Sequence, residues 1–170
     1  MTITKTRPAI IRDEIIDILK LDSYVTGLFT DTGLEGAKAA QFSDDIVIYK
    51  HPLAWKVAPK DPAISVYHTN RETYSHSRAS GIVDTRALLY IDILVRKALP
   101  EDALDLAGLI ADNLRIILMP NTNLNNTVTD YRFTQKELIP IEEKKNLYTL
   151  IVTLQLEVFY NPKALKYSNG

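Results

Sequence analysis

The 170 residues are 46% hydrophobic and 24% charged, with a net charge of −1. That is the make-up of an ordinary folded globule rather than a disordered chain, and the length suits one domain with a proper core. The charge balance excludes a global field that recruits nucleic acid or an acidic membrane, the absence of cysteine excludes disulfides and thiolate chemistry, and no apolar run approaches the ~18 residues of a membrane span.

The first ten residues, MTITKTRPAI, lack the apolar core of a signal peptide, so secretion by that route is not expected. Residues 1–7 read as a flexible lead. Pro8 sits in the first turn of a predicted helix to about Leu21, with Ile11, Ile15, Ile18 and Leu19 as its buried stripe. A short helical turn over Asp22–Phe29 follows, and Asp31–Ser43, with Gly33 and Gly36, reads as a surface loop. Asp45–His51 (DIVIYKH) is a predicted strand. Pro52, Pro59 and Pro62 forbid a central strand in the next stretch, and Ala63–Thr69 (AISVYHT) is a second strand. Asn70–Asp84 is polar, and the expectation is a long exposed hairpin tip.

From Arg86 to Arg96 the residues Ala87, Leu89, Ile91, Ile93 and Val95 share one face of a strand. The other face (Arg86, Leu88, Tyr90, Asp92, Leu94, Arg96) is mixed. Pro100 opens a helix in which its missing N–H costs nothing, and Glu101 and Asp102 suit the positive end of the dipole. Ala103, Ala107, Ile110, Leu114 and Ile117 form the predicted core stripe, and Pro120 stops the helix. Asn121–Asn126 is a loop, and Val128–Ile139 alternates weakly, as an edge strand does. Pro140–Asn146 is expected to turn the chain. Leu147–Tyr160 is a long strand with Tyr148, Leu150, Val152, Leu154, Leu156, Val158 and Tyr160 on one face. The tail 161–170 reads as loose. The predicted fold is α+β, a mixed, mainly antiparallel sheet with two main helices on one face, in the order α-β-β-β-α-β-β.

Catalytic constellations are thin. Asp31-Thr32-Gly33 matches the aspartic-protease triplet, a chemistry that needs two carboxylates sharing a proton. Its flanks fit poorly and no apolar-apolar-Gly partner segment follows, so a Gly-containing turn is the reading. His51, His68 and His76 do not stand at ligand spacing on a helix. Ser75-His76-Ser77 lacks the orienting acid of a triad, the six glycines form no phosphate loop, and no cofactor is expected. Arg71, Tyr74, His76, Arg78 and Arg86 gather basic and aromatic side chains in one region. They suit contact with a protein partner or a single-stranded nucleic acid, against the plainer reading of a solvated loop.

The order of elements resembles the tail terminator (tail-completion, head–tail joining) proteins of long-tailed bacteriophages. The resemblance runs through IIRDEIIDILK, AISVYHT, ALLYIDILVRK, EDALDLAGLIADNLRIIL and LYTLIVTLQLEVFY, with YIDILVRKALPEDALDLAGLIADNL the most telling piece. It implies a non-enzymatic subunit of a ring, usually a hexamer, at the tail–head junction of a virion assembled in the host cytoplasm. Such a ring caps the tail tube, stops its polymerisation and offers a face to the head. Its partners are then further copies, the tube protein and a head-completion or neck protein, with nucleic acid only as genome passing through the lumen. Arg71, Tyr74, Arg78 and Arg86 are the candidate contact residues, and Asn70–Asp84 a candidate docking arm. A neck protein on the portal side and, in another class, a small aspartic-protease-like hydrolase using Asp31 are the alternatives. A nucleic-acid-binding accessory domain using the Arg71–Arg86 region is a third.

Overall fold

The computed structural model describes residues 5–30, 48–53, 62–76, 83–144 and 147–161. Helix α1 (Arg7–Leu21) has Pro8 in its first turn, and α2 (Ser23–Thr30) follows directly. The Asp22 carboxylate marks the break by accepting the Tyr24 N–H at 2.8 Å, as a residue at a helix start does. Strand β1 (Ile48–Tyr49) lies within the expected Asp45–His51, of which 45–47 lie outside the described residues. Then come β2 (Ala63–His76), β3 (Val83–Lys97), α3 (Pro100–Leu118), β4 (Asp130–Lys144) and β5 (Leu147–Tyr160).

Among the described residues, five strands form one sheet in the order β1-β2-β3-β5-β4. β1 lies parallel to β2, and every other neighbouring pair is antiparallel. This is the expected mixed, mainly antiparallel α+β sheet, with α1 and α3 packed on one face. Ile64 and Val66 of β2, Ala87 to Val95 at alternate positions of β3, and Leu150 to Tyr160 at alternate positions of β5 face those helices. Ile11, Ile15, Ile16 and Leu19 of α1 meet them, as do Ala103, Ala107, Ile110, Ala111, Leu114 and Leu118 of α3. The small residues Ala103, Ala107 and Ala111 let α3 lie close on β3 and β5. Leu118 takes the fully buried position expected of Ile117, which packs at the margin of the core instead.

Two expectations for irregular chain are corrected. Most of Asn70–Asp84 is strand, because β2 runs to His76 and β3 starts at Val83, with His76 opposite Val83. Only residues 77–82 of it lie outside the described residues. A register shift between His68 and Glu72 puts Arg71 in a bulge, a device that re-aims side chains. Likewise β4 extends through Pro140 to Lys144, where a turn was expected. Pro140 is tolerated because β4 is the sheet's edge, where a missing N–H need break no ladder bond. The Asp31–Ser43 loop, and the tail beyond Asn161, lie outside the described residues.

The Asn-rich loop after α3 is ordered by its own side chains. Leu124, Asn125 and Asn126 take positive φ of 45°, 53° and 66°, a region in which Asn is well represented and Leu is not. Leu124 is repaid by complete burial. Asn121 Oδ1 accepts the Asn125 N–H at 3.0 Å, and Asn123 Oδ1 accepts the Asn126 N–H at 3.3 Å. Asn125 donates to Glu14 of α1 at 2.5 Å, tying the loop to that helix.

Candidate assembly surface

The sheet face away from the helices is not simply wet. Asp92 of β3, 2% exposed, is surrounded by donors. Its Oδ1 accepts the Thr153 hydroxyl at 2.7 Å, and its Oδ2 accepts the Leu53 N–H at 3.2 Å. Tyr67, stacked on Tyr90 at 5.3 Å between ring centroids, points its hydroxyl toward the same carboxylate. Burial still dominates and raises the Asp92 carboxyl above its ordinary range, although these three hydrogen bonds pull it down. Burial also raises Tyr67, and the charge of Asp92 adds to it. Beside the carboxylate, Leu53, Ala63, Leu94 and Ile151 make a second small apolar cluster. Asp92 therefore pins the turn that carries Leu53 over this face.

Further along the same face Glu157 is 1% exposed and lies between Arg86 and Arg132, which sit on the strands either side of it. Arg132 also lies over the Phe159 ring at 5.5 Å. A buried carboxylate needs such partners, and the alternation of β5 gave no sign that this position was dry.

Of the candidate contact residues, Tyr74 and Arg86 lie on opposite faces of the sheet. Tyr74 pairs with Thr85, on the helix side of the sheet, and Arg86 pairs with Thr73, on the open side. Tyr74 is 58% exposed, and its hydroxyl donates to Glu72 at 2.6 Å. Glu72 also accepts the Tyr160 hydroxyl at 2.7 Å, and Arg7 lies over the Tyr160 ring. Burial raises the Tyr160 hydroxyl, and the Glu72 bond raises it further. Arg71 is exposed in the bulge, and Arg86 is held by Glu157. Arg78 and Asp31 lie outside the described residues. Among the described residues no group of His, Asp and Glu is placed to hold a metal ion, and no helix is long and apolar enough to cross a membrane.

The surface missed from sequence is apolar. Leu104 and Leu109 of α3 and Leu138 of β4 are 47%, 57% and 45% exposed, and they border a groove of about 590 Å³ between helix and edge strand. Ile116 of α3 and Met119 just beyond its end continue the exposed apolar positions. Lys136 bridges the groove to Asp112 at 3.2 Å. Leu104, Leu109 and Ile116 stand off the core stripe of α3 in the sequence. That is the signal that could have flagged them, since a helix covered on one side alone has little use for leucines elsewhere.

No family model matches the chain, and no curated protein does. Among solved structures it is similar to a chain of one described as the virion of a native gene transfer agent particle. The two share 9% identity with a TM-score of 0.40, over 87% of this chain and 93% of that one. A likeness this distant leaves the function to be argued from the molecule's own surfaces.

Proposed function

We propose that this chain is a structural virion subunit, a ring-forming tail terminator of a single domain. It caps the tail tube, stops tube polymerisation and gives the head its joining surface at the tail–head junction. One observation carries the reading: among the described residues nothing covers the margin of the sheet formed by α3 and the edge strand β4, and that margin is partly apolar. A contact made there with a different surface of the next copy is head-to-tail, and such contacts close into rings when the rotation allows. The run of elements from the opening helix to the long last strand, similar to tail terminators, supports the same reading. The partners are further copies in a homohexamer, the tube protein and a head-completion or neck protein. Nucleic acid passes through the lumen without a dedicated site. The role is geometric and non-enzymatic. Arg71, Tyr74, Arg78 and Arg86 contribute tube or neighbour contacts.

The test joins mass in solution to particle imaging. Sedimentation of the purified chain, alone and with tail tubes, is expected to give a closed ring. Particles lacking the gene are expected to have overlong or headless tails. A strict monomer in both settings, or normal head-joined tails without the gene, overturns the proposal.

A further inference from the structure

We propose that the groove between α3 and β4 receives the segment that follows β5 in a neighbouring copy, Lys163-Ala164-Leu165-Lys166-Tyr167. This rests on the ring reading above and names the junction that builds the ring.

Three observations select this occupant. The first is shape. The groove's volume is in the range of ligand-sized clefts, enough for a leucine and an aromatic ring. On the α3 side Gly108 leaves a notch between Leu104 and Asp112, and a side chain placed at Gly108 would meet nothing within 4 Å. The second is charge. The outer side of α3 carries Glu101, Asp102, Asp105 and Asp112. Asp112 is engaged by Arg115 and Lys136, whereas Glu101, Asp102 and Asp105 enter no ion pair among the described residues. The segment after β5 alternates two lysines with Leu165 and Tyr167 and carries no acid. It therefore suits a groove of exposed leucines whose lining carries Asp105 and Asp112 beside Lys136, with Glu101 and Asp102 farther along the helix.

The third is reach. Val152, at the floor of the groove, lies eight residues before Tyr160 on β5, about 26 Å away at roughly 3.3 Å per strand residue. Leu165 lies five residues beyond Tyr160, and Tyr167 seven, so they extend at most about 17 and 23 Å from it at the same rise. A chain's own Leu165 falls short of the Val152 floor of its own groove, and a neighbour's does not have that constraint. Each copy then gives one segment and receives one. That is the head-to-tail geometry a ring requires, and the floor, Val152, belongs to the same strand that launches the segment.

The test uses two full-length variants. Gly108→Leu fills the notch from open space and replaces a poor helix former with a good one, so its thermal midpoint is expected to stay level or rise. Leu165→Asp combined with Tyr167→Asp spoils the segment and leaves the groove intact. Each variant alone is expected to remain monomeric at concentrations where the wild-type chain assembles. Mixed, they are expected to form one-to-one pairs and no larger species, since only one good segment and one good groove remain per pair. A synthetic peptide of residues 161–170 supplies an independent reading. It is expected to bind the segment variant, to lose at least about tenfold in affinity on Gly108→Leu, and to weaken with added salt. If wild type and both variants assemble alike and the peptide does not bind, the inference is overturned and the ring reading stands. If the wild-type chain is monomeric throughout yet the peptide binds at Gly108, the ring reading fails and only the groove's recognition of this segment stands. Neither assembly nor peptide binding overturns both.

Discussion

Two carboxylates show how one residue type takes opposite roles. Asp92 is buried, and its carboxyl is raised above the ordinary range chiefly by that burial. A raised folded value means that the folded chain keeps a proton the unfolded chain has released. Its contribution is therefore complete below the unfolded value, about 3.9, and is lost as pH rises through the folded one. Asp13 is the reverse. Burial pushes it up, but hydrogen bonds from Lys5 at 2.8 Å, Lys50 and Arg12 hold it well below the usual range. Its contribution is present above about pH 3.9 and is lost as pH falls through the folded value. Thermal midpoints measured against pH are expected to lose part of their acid-side fall in Asp13→Asn. In Asp92→Asn they are expected to lose part of their decline above pH 4. Removing the acceptor altogether is worse. Asp92→Ala strands the buried Leu53 N–H and the Thr153 hydroxyl and is expected to cost about 1–3 kcal/mol in denaturant unfolding. In the loop after α3, Asn126→Ala is expected to cost about 1–2 kcal/mol by the same measurement, because alanine resists the φ of 66°. Asn126→Gly is expected to cost less.

At the scale of elements, β5 is the clearest case. It is paired on both sides, by β3 and β4, and its helix-facing residues are buried from Leu150 to Tyr160. Leu154→Ala is expected to cost about 2–5 kcal/mol, from lost transfer energy and the cavity left behind. An unfolding midpoint unchanged within error would mean that the strand faces the other way. The strand's pattern was legible because leucine and valine alternate with threonine, glutamine and glutamate. The ends of β2 and β4 were not legible, because Asn70–His76 and Pro140–Lys144 carry little apolar contrast to alternate. There the ladder's backbone bonds to β3 and β5 decide the conformation, and those bonds leave no trace in side-chain hydropathy. Glu157 was hidden for a related reason. Alternation assigns it a face, but only the arginines on the two flanking strands make that position dry.

For the whole molecule, the β2–β3 hairpin gives a clean experiment. His76 pairs with Val83, so an Asn-Gly turn in place of residues 77–82 closes the hairpin with a favoured two-residue connection. The unfolding free energy is expected to stay within about 1 kcal/mol of wild type, the range of turn and loop-closure effects. If the hairpin end touches the tube or a neighbour, particles made with this variant are expected to show altered tail length or head attachment, scored by electron microscopy. Uniform, head-joined tails would reduce Arg78 to solvated surface. Deleting all of Asn70–Asp84 would be a different experiment, since it removes two strand ends and the Glu72 acceptor of Tyr160.

The sequence by itself determined the element types, their order, the helix-facing stripes and the α+β class. These follow from local periodicity and proline positions, written in residues a few places apart. The tertiary structure alone decided the strand order β1-β2-β3-β5-β4, the parallel seat of β1 and the separation of Tyr74 from Arg86 onto opposite faces. It also decided which leucines of α3 stay uncovered beside β4. Each of these depends on residues far apart in the chain: Leu53 reaches Asp92, Arg86 and Arg132 reach Glu157, and Lys136 reaches Asp112. Hydropathy patterning says which face of an element avoids water. It does not say which other element, or which other copy, will cover it.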